Sequence, residues 1–215
     1  MTQSSTNGQA KSARPATKSA ATRRRVIEAA ARVLVNRGYN ATRLSDIAAE
    51  AGMQAGSLYY HFDSKEALVE EVLRYGVQFT YAHVRVVVEQ LPDSATAGER
   101  IRAAVDGFLD ATLELGTMSP AHVRTFHQLP DEIKERLRPA RRAFGRFWAE
   151  LIDAGVASGE IRSDIDPLAL RLFIIGTLER VAEWPPAARR GSRDLSGIMQ
   201  ALIFDGVGGT THSAE

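Results

Sequence analysis

From Thr22 onward, apolar residues recur at helical spacing. Val26, Ala29, Ala30, Val33 and Leu34 fall at i, i+3, i+4, i+7 and i+8, one apolar stripe along a helix. Gly38 follows Arg37 and predicts the end of that helix, because glycine takes up the left-handed backbone of a helix C-terminus without steric cost. A short second helix fits Leu44–Glu50, with Leu44, Ile47 and Ala48 inward and Gly52 ending it. Met53-Gln54 is the turn, and Ala55–Phe62 a third helix of two turns with Leu58 and Phe62 toward the core. Asp63 or Ser64 caps a fourth helix over 64–90, with Glu66 in its first turn. Further helices are predicted over 95–115, 119–128, 131–158, 167–184 and 193–206. They are separated by Leu91-Pro92-Asp93, Gly116 to Pro120, Leu129-Pro130, Gly155 to Asp166 and Pro185-Pro186. No run alternates apolar and polar residues for a useful strand length, and no internal repeat is present. The expected fold class is all-α.

Residues 1–21 are mostly Ser, Thr, Ala, Gln and Gly, with Lys11, Arg14 and Lys18 and no acid. They show no apolar periodicity and read as a disordered basic tail, leading into Arg23-Arg24-Arg25. The first ten residues read as a solvated leader. Residues 11–25 read either as more of that leader or as a basic arm near phosphates.

Composition narrows the function classes. Of 215 residues, 44% are hydrophobic and 25% charged, which gives enough apolar material for a core. Cysteine is absent, which excludes disulfides, thiolate catalysis and cysteine zinc sites and fits a cytoplasmic location. No stretch approaches the roughly 18 apolar residues of a membrane span, and the N-terminus lacks the apolar centre of a signal peptide. The net charge of +1 hides an asymmetry: residues 1–75 carry 11 Lys+Arg against 7 Asp+Glu, and the remainder 16 against 19. A basic first third suits contact with a polyanion, although ordinary scatter gives such values too.

Two short helices joined by a tight glycine-containing turn make a helix-turn-helix over 22–68, whose second helix enters the DNA major groove. That helix must then expose polar or aromatic groups of moderate length. With Leu58 and Phe62 inward, Gln54, Ala55, Ser57, Tyr59, Tyr60 and His61 are left outside. Gly56 costs about 1 kcal/mol of helix stability relative to alanine, which suggests that something approaches its backbone closely. Tyr59 and Tyr60 have a second reading, in which one of them is partly a core aromatic.

The run from Thr42 to Leu68, Thr-Arg-Leu-Ser-Asp-Ile-Ala-Ala-Glu-Ala-Gly-Met-Gln-Ala-Gly-Ser-Leu-Tyr-Tyr-His-Phe-Asp-Ser-Lys-Glu-Ala-Leu, resembles the signature of the tetracycline-repressor (TetR) family. The resemblance covers residues 22–68. It implies a dimeric transcriptional repressor of palindromic double-stranded operator DNA, with residues 69–215 as a helical effector-binding and dimerisation domain. It also implies contacts to bases or sugars from Gln54, Ala55, Ser57 and Tyr60, and to phosphates from Tyr59, His61, Lys65 and Thr42 or Arg43, with Gly56 at the same surface. Family members often carry Thr or Ser where Arg43 stands, which makes Arg43 a phosphate anchor here.

Residues 168–178 are apolar nearly all round, more than one buried face requires. With Leu195, Ile198, Met199 and Leu202 on the last helix, Leu168, Leu172, Ile175 and Leu178 form a candidate dimer interface; the alternative is a deeply buried core. The run Gly159 to Pro167, with Trp184, resembles a TetR subgroup that includes sensors of acyl-CoA thioesters and steroid-like metabolites. Candidate effector-pocket residues are His122, Phe126, His127, Phe144, Phe147, Trp148, Arg180 and Trp184. His122 and His127 lack a third ligand, so no metal is expected, and no cofactor motif is present. Arg136, Arg138, Arg141, Arg142 and Arg146 share one helix, as a solvated face or as a site for the phosphates of a CoA-like ligand. No nucleophile-base pair or glycine-rich phosphate loop points to an enzyme. An activator or dual regulator, a multidrug-sensing regulator and a helical scaffold are the remaining alternatives.

Overall fold

The computed structural model describes residues 14–185 and 192–207. Among them are nine α-helices and no strand: α1 (Arg14–Ala41), α2 (Leu44–Glu50), α3 (Ala55–Tyr59), α4 (Lys65–Glu89), α5 (Ala97–Leu115), α6 (Met118–Thr125), α7 (Asp131–Ala157), α8 (Pro167–Arg180) and α9 (Ser192–Val207). Single 3-10 turns follow α6 at Phe126–Gln128 and α8 at Val181–Glu183.

The helix starts and stops follow local chemistry. Ser64 Oγ accepts from the Ala67 N–H at 3.0 Å, Asp166 from Ala169 at 2.8 Å, and Thr96 with Glu99 closes a reciprocal capping box on α5. Gly38 has φ 70° and ψ 176° and kinks α1, a backbone only glycine takes readily. α1 begins at Arg14 rather than Thr22, so the expected tail is helical over 14–21; residues 1–13 lie outside the described residues. Ala20 and Ala21 are exposed, and alanine is the strongest helix former, so they extend the helix without a core stripe. α3 stops at Tyr59 instead of Phe62, and Tyr60-His61 form a turn that still delivers Phe62 to the core.

Two apolar clusters form. The first joins Val26, Ala30 and Leu34 of α1, Ile47, Leu58, Phe62 and the start of α4 with Met118 and Ala121 of α6, Leu129 of the connection after it, and Ile133 and Leu137 of α7. The packing therefore has no break at the expected 68/69 boundary. The helix-turn-helix is rooted in residues more than 50 positions away. The second cluster joins Val84 and Val88 of α4 to α5, Trp148 and Ile152 of α7, Ile174 and Leu178 of α8 and Leu195, Met199 and Ile203 of α9. Helix α4 packs against α1, α5, α6 and α7, and its 25 residues span about 38 Å.

The segment Gly159–Pro167 acts as scaffold. Glu160 accepts from Thr96 Oγ1 (2.7 Å), Ser158 Oγ (2.9 Å) and the N–H groups of Ala97 (3.1 Å) and Gly98 (3.0 Å), fastening the α7–α8 loop to the start of α5. These bonds, led by that from Thr96, hold its carboxyl below the ordinary range.

Candidate functional site

At the α2–α3 end, Leu58 and Phe62 are buried, and everything else on α3 faces outward. Gln54 at the N-cap, Ala55, Gly56 and Ser57 are exposed, Tyr59 is 58% and Tyr60 88% exposed, so neither tyrosine is a core aromatic. A Cβ at Gly56 would meet nothing within 4 Å. No packing among the described residues therefore explains this glycine. Arg43 is the exposed N-cap of α2, and its N–H donates to Asp46. His61 is half-buried, edge-on to the Tyr60 ring at 5.4 Å.

One expected phosphate contact is corrected. Thr42 is 2% exposed, and its hydroxyl donates to the Gly38 carbonyl at 2.6 Å, so it closes the kink of α1 and has no proton for a phosphate. Lys65 is half-buried; its Nζ donates to the Tyr39 carbonyl at 3.3 Å and lies 4.3 Å from the centre of that ring. Its other two protons remain for an anion. Within Arg23-Arg24-Arg25, Arg23 pairs with Glu71 and lies 4.6 Å over Phe62, Arg24 pairs with Glu28, and Arg25 is exposed. Arg23 therefore fastens α1 to the end of α3 and to α4.

Tyr39 and Gln128 were not singled out by sequence. The Tyr39 N–H donates to Gln128 Oε1 at 3.0 Å, and its hydroxyl donates to Glu66 Oε1 at 3.0 Å. Burial, then the bond to Glu66, pushes the phenol up to about 12. Gln128 in turn donates to the Arg124 carbonyl at 3.2 Å. The end of α1, the start of α4 and the turn after α6 thus share one polar junction.

At the other end lie two adjoining cavities. The inner one, about 40 Å³, sits between α4, α5, α6, α7 and α8 and is lined by Thr80, Phe108, Thr112, Met118, His122 and Phe144 among others. The outer cleft, about 720 Å³, is lined by Phe126, Leu172, Ile175 and six cations: Lys134, Arg138, Arg141, Arg142, Arg146 and Arg171. Val77, Phe144 and Glu179 belong to both walls. Arg141 also lies 4.1 Å over the Phe126 ring, which stacks on His122 at 5.1 Å. Burial raises the Glu179 carboxyl, against the charges of Arg141 and Arg180. His122 retains some exposure as a residue, but its Nδ1 is fully buried. Burial first, then the charges of Arg141 and His127, lowers the imidazole to about 4.

Of the expected pocket residues, His122, Phe126 and Phe144 line these cavities. The other five are corrected. Trp148 is fully buried in the second cluster, with Phe147 and Trp184 packed at that cluster's edge; His127 and Arg180 are exposed away from both walls. Large aromatics fill the core here because nothing else of their volume does. Glu179, Thr112, Lys134 and Arg171 were not anticipated as wall residues. They come together only through the packing of three helices, α5, α7 and α8. Arg136 of the arginine run turns away and pairs with Glu70 at 2.6 Å.

The expected dimer residues also divide. Leu168 (52%), Leu172 (61%), Ile198 (54%) and Leu202 (61%) are exposed, joined by Phe173 at 56%. Leu178, Leu195 and Met199 are buried within the chain's own core, and Ile175 is half-buried on the wall of the cleft. The all-round apolarity of α8 thus has two causes, a buried face and an uncovered one.

An all-helical chain with a helix-turn-helix at one end and cavities at the other is a DNA-binding regulator in architecture. Residues 26–72 match the TetR family of bacterial regulatory proteins, and residues 94–207 match the tetracyclin repressor-like C-terminal domain. The chain belongs to the TetR family of transcriptional regulators. It is 33% identical over 163 residues to the HTH-type transcriptional repressor KstR2 of Rhodococcus jostii, covering 75% of this chain and 78% of that one. It is 25% identical over 164 residues to the fatty acid metabolism regulator protein of Bacillus subtilis, covering 74% and 81%. The structure of the ketosteroid transcriptional regulator KstR2 of Mycobacterium tuberculosis superposes with a TM-score of 0.75 at 25% identity, covering 87% of this chain and 95% of that chain. Among the described residues, no helix is long and apolar enough to cross a membrane.

Proposed function

We propose that this protein is a dimeric repressor that binds a palindromic operator and leaves it when a CoA thioester of an apolar acid occupies the two cavities. The observation that carries the reading is the cleft with six cations on its wall, adjoining a mostly apolar inner cavity through Val77, Phe144 and Glu179. The phosphates of CoA suit the guanidinium groups, which bind phosphate through paired N–H donors. The far end of the acyl group suits the inner wall. Relatives named for fatty acid metabolism and for ketosteroid regulation support the same class of effector.

At the DNA end, Gln54, Ala55, Ser57 and Tyr60 read the groove, while Arg43, Tyr59, His61 and Lys65 hold phosphates. Gly56 lets the backbone approach. The uncovered face of Leu168, Leu172, Phe173, Ile198 and Leu202 meets its copy in a second chain, which sets two reading heads for two half-sites. Helix α4 runs from Lys65 at one head to the walls of both cavities at Val77. A ligand shifts the balance between two arrangements only through its different affinity for each. The cavities beside α4 provide such a difference.

The test is selection of genomic fragments on the protein, followed by gel shift with acyl-CoAs of increasing chain length. Enrichment of a palindrome that acyl-CoA releases is expected. Selection of no sequence, or release by free CoA and acyl-CoA alike, contradicts the proposal.

A further inference from the structure

Three buried side-chain polar atoms lack a hydrogen-bond partner among the described residues: Thr112 Oγ1, His122 Nδ1 and Trp148 Nε1. Buried polar groups are nearly always paired, so each orphan requires a physical reason. Their placement supplies it. Thr112, from α5, and His122, from α6, line the same inner cavity. Trp148 lies directly behind two other wall residues, with ring centroids 6.4 Å from Phe108 and 6.3 Å from Phe144. Two other helical threonines satisfy themselves on the carbonyl one turn back: Thr125 on Ala121 at 2.5 Å and Thr177 on Phe173 at 2.7 Å. Thr112 lies in the last turn of α5 and does not.

We infer that the inner cavity is a specificity subsite for an uncharged oxygen: the buried end of the effector carries a keto or hydroxyl group bound by Thr112 and His122. This rests on the acyl-CoA reading for the outer cleft, but the subsite is separable from it. A threonine hydroxyl offers a donor and an acceptor, and a neutral imidazole one of each, so together they bond a keto or hydroxyl oxygen. They offer no positive charge to a carboxylate. Glu179 on the same wall repels one whenever it is ionised. A cavity of about 40 Å³ holds roughly three waters by that measure, the size of a small polar end group rather than of an alkyl chain.

The experiment is calorimetry on the full chain with two probes, octanoyl-CoA and an octanoyl-CoA bearing a keto group one carbon from its end. Wild type is expected to bind the keto ester about tenfold more tightly or better, the discrimination of a site with polar groups left unpaired by the plain chain. Thr112→Val and His122→Phe are each expected to bring the two esters within about threefold. Thr112→Val is also expected to raise the melting temperature of the ligand-free protein, since it removes an orphan without changing shape. Equal affinity of wild type for the two esters, or discrimination that survives both substitutions, overturns the subsite. If neither ester binds, the acyl-CoA reading of the cleft fails. The subsite is then decided by NMR of the Thr112 methyl with cyclohexanone and methylcyclohexane. A shift with the ketone alone, abolished by His122→Phe, supports it. Equal shifts or none overturn it.

Discussion

The start and the midpoint of α4 are built on different terms. At Lys65 the molecule presents side chains outward from a short helix whose own contacts are complete: Leu58 and Phe62 are buried, and Tyr59 and Tyr60 point away. Around Val77 the groups that matter face inward, and two of them, Thr112 and His122, are left without partners. A surface of the first kind fits a rigid polyanion of fixed shape. A wall of the second kind fits a small molecule that supplies the missing bonds.

The sharpest way to break this contrast is to remove the face that pairs the reading heads. Ile198→Asp with Leu202→Asp places charges on side chains more than half exposed in the single chain, so folding is expected to survive. Sedimentation should show a monomer, and operator affinity should fall about a hundredfold or more as the gain from two linked half-sites is lost. A persistent dimer would place the interface elsewhere.

Next in size is Leu137→Ala, a substitution in α7 of a residue only 1% exposed. A cavity there is expected to cost about 2–5 kcal/mol in urea unfolding. Because Leu137 shares a cluster with Leu58 and Phe62, operator binding should weaken at temperatures where the rest of the chain is still folded. Unchanged operator binding up to the global transition would mean that the DNA end is independent of α7.

Tyr60→Ala acts on the outward surface alone. It should cost about 1–3 kcal/mol of specific operator affinity and leave the melting temperature within a degree or so, because the side chain is 88% exposed. Arg43→Ala should weaken binding to every sequence alike and flatten the salt dependence. A Tyr60→Ala protein that loses stability instead would make the tyrosine structural.

The smallest effect belongs to the inward end and to pH. His122 is lowered to about 4 by burial, Arg141 and His127. Between its ordinary value near 6.5 and 4, the unfolded chain binds a proton that the folded chain refuses. The stability that neutral His122 confers is therefore full above about 6.5 and is lost as the pH falls toward 4. His122→Phe should flatten that part of the urea stability profile. An unchanged slope would mean that other groups set the acid limit.

The fold and the outward face of α3 were legible because both are written locally. Capping residues, Gly38, Gly52 and the inward pair Leu58 and Phe62 fix α1 to α4 within a few residues of each other. The cavities were not, for the opposite reason. Glu179 and Arg171 of α8, Thr112 of α5 and Lys134 of α7 meet only in the packed chain, and no spacing within one helix announces walls shared by several. Aromatic size misled in the same way: Trp148 is a core residue by volume and only a neighbour of the cavity. Thr42 carried a family role by resemblance, yet here its proton closes a kink. On α8, one apolar pattern served two faces, and only packing separates Leu178 from Leu172.

The central claim is that the arginine-lined cleft and the reading heads are energetically coupled. It is tested most directly by measuring operator affinity with and without saturating acyl-CoA, and acyl-CoA affinity with and without operator, on wild type and on Arg142→Ala. Linkage requires the two factors to be equal. The account predicts a common factor of about 5–150 in wild type, and in Arg142→Ala a weaker acyl-CoA affinity with ligand-free operator affinity unchanged. Acyl-CoA that binds the cleft while operator affinity stays the same would contradict it.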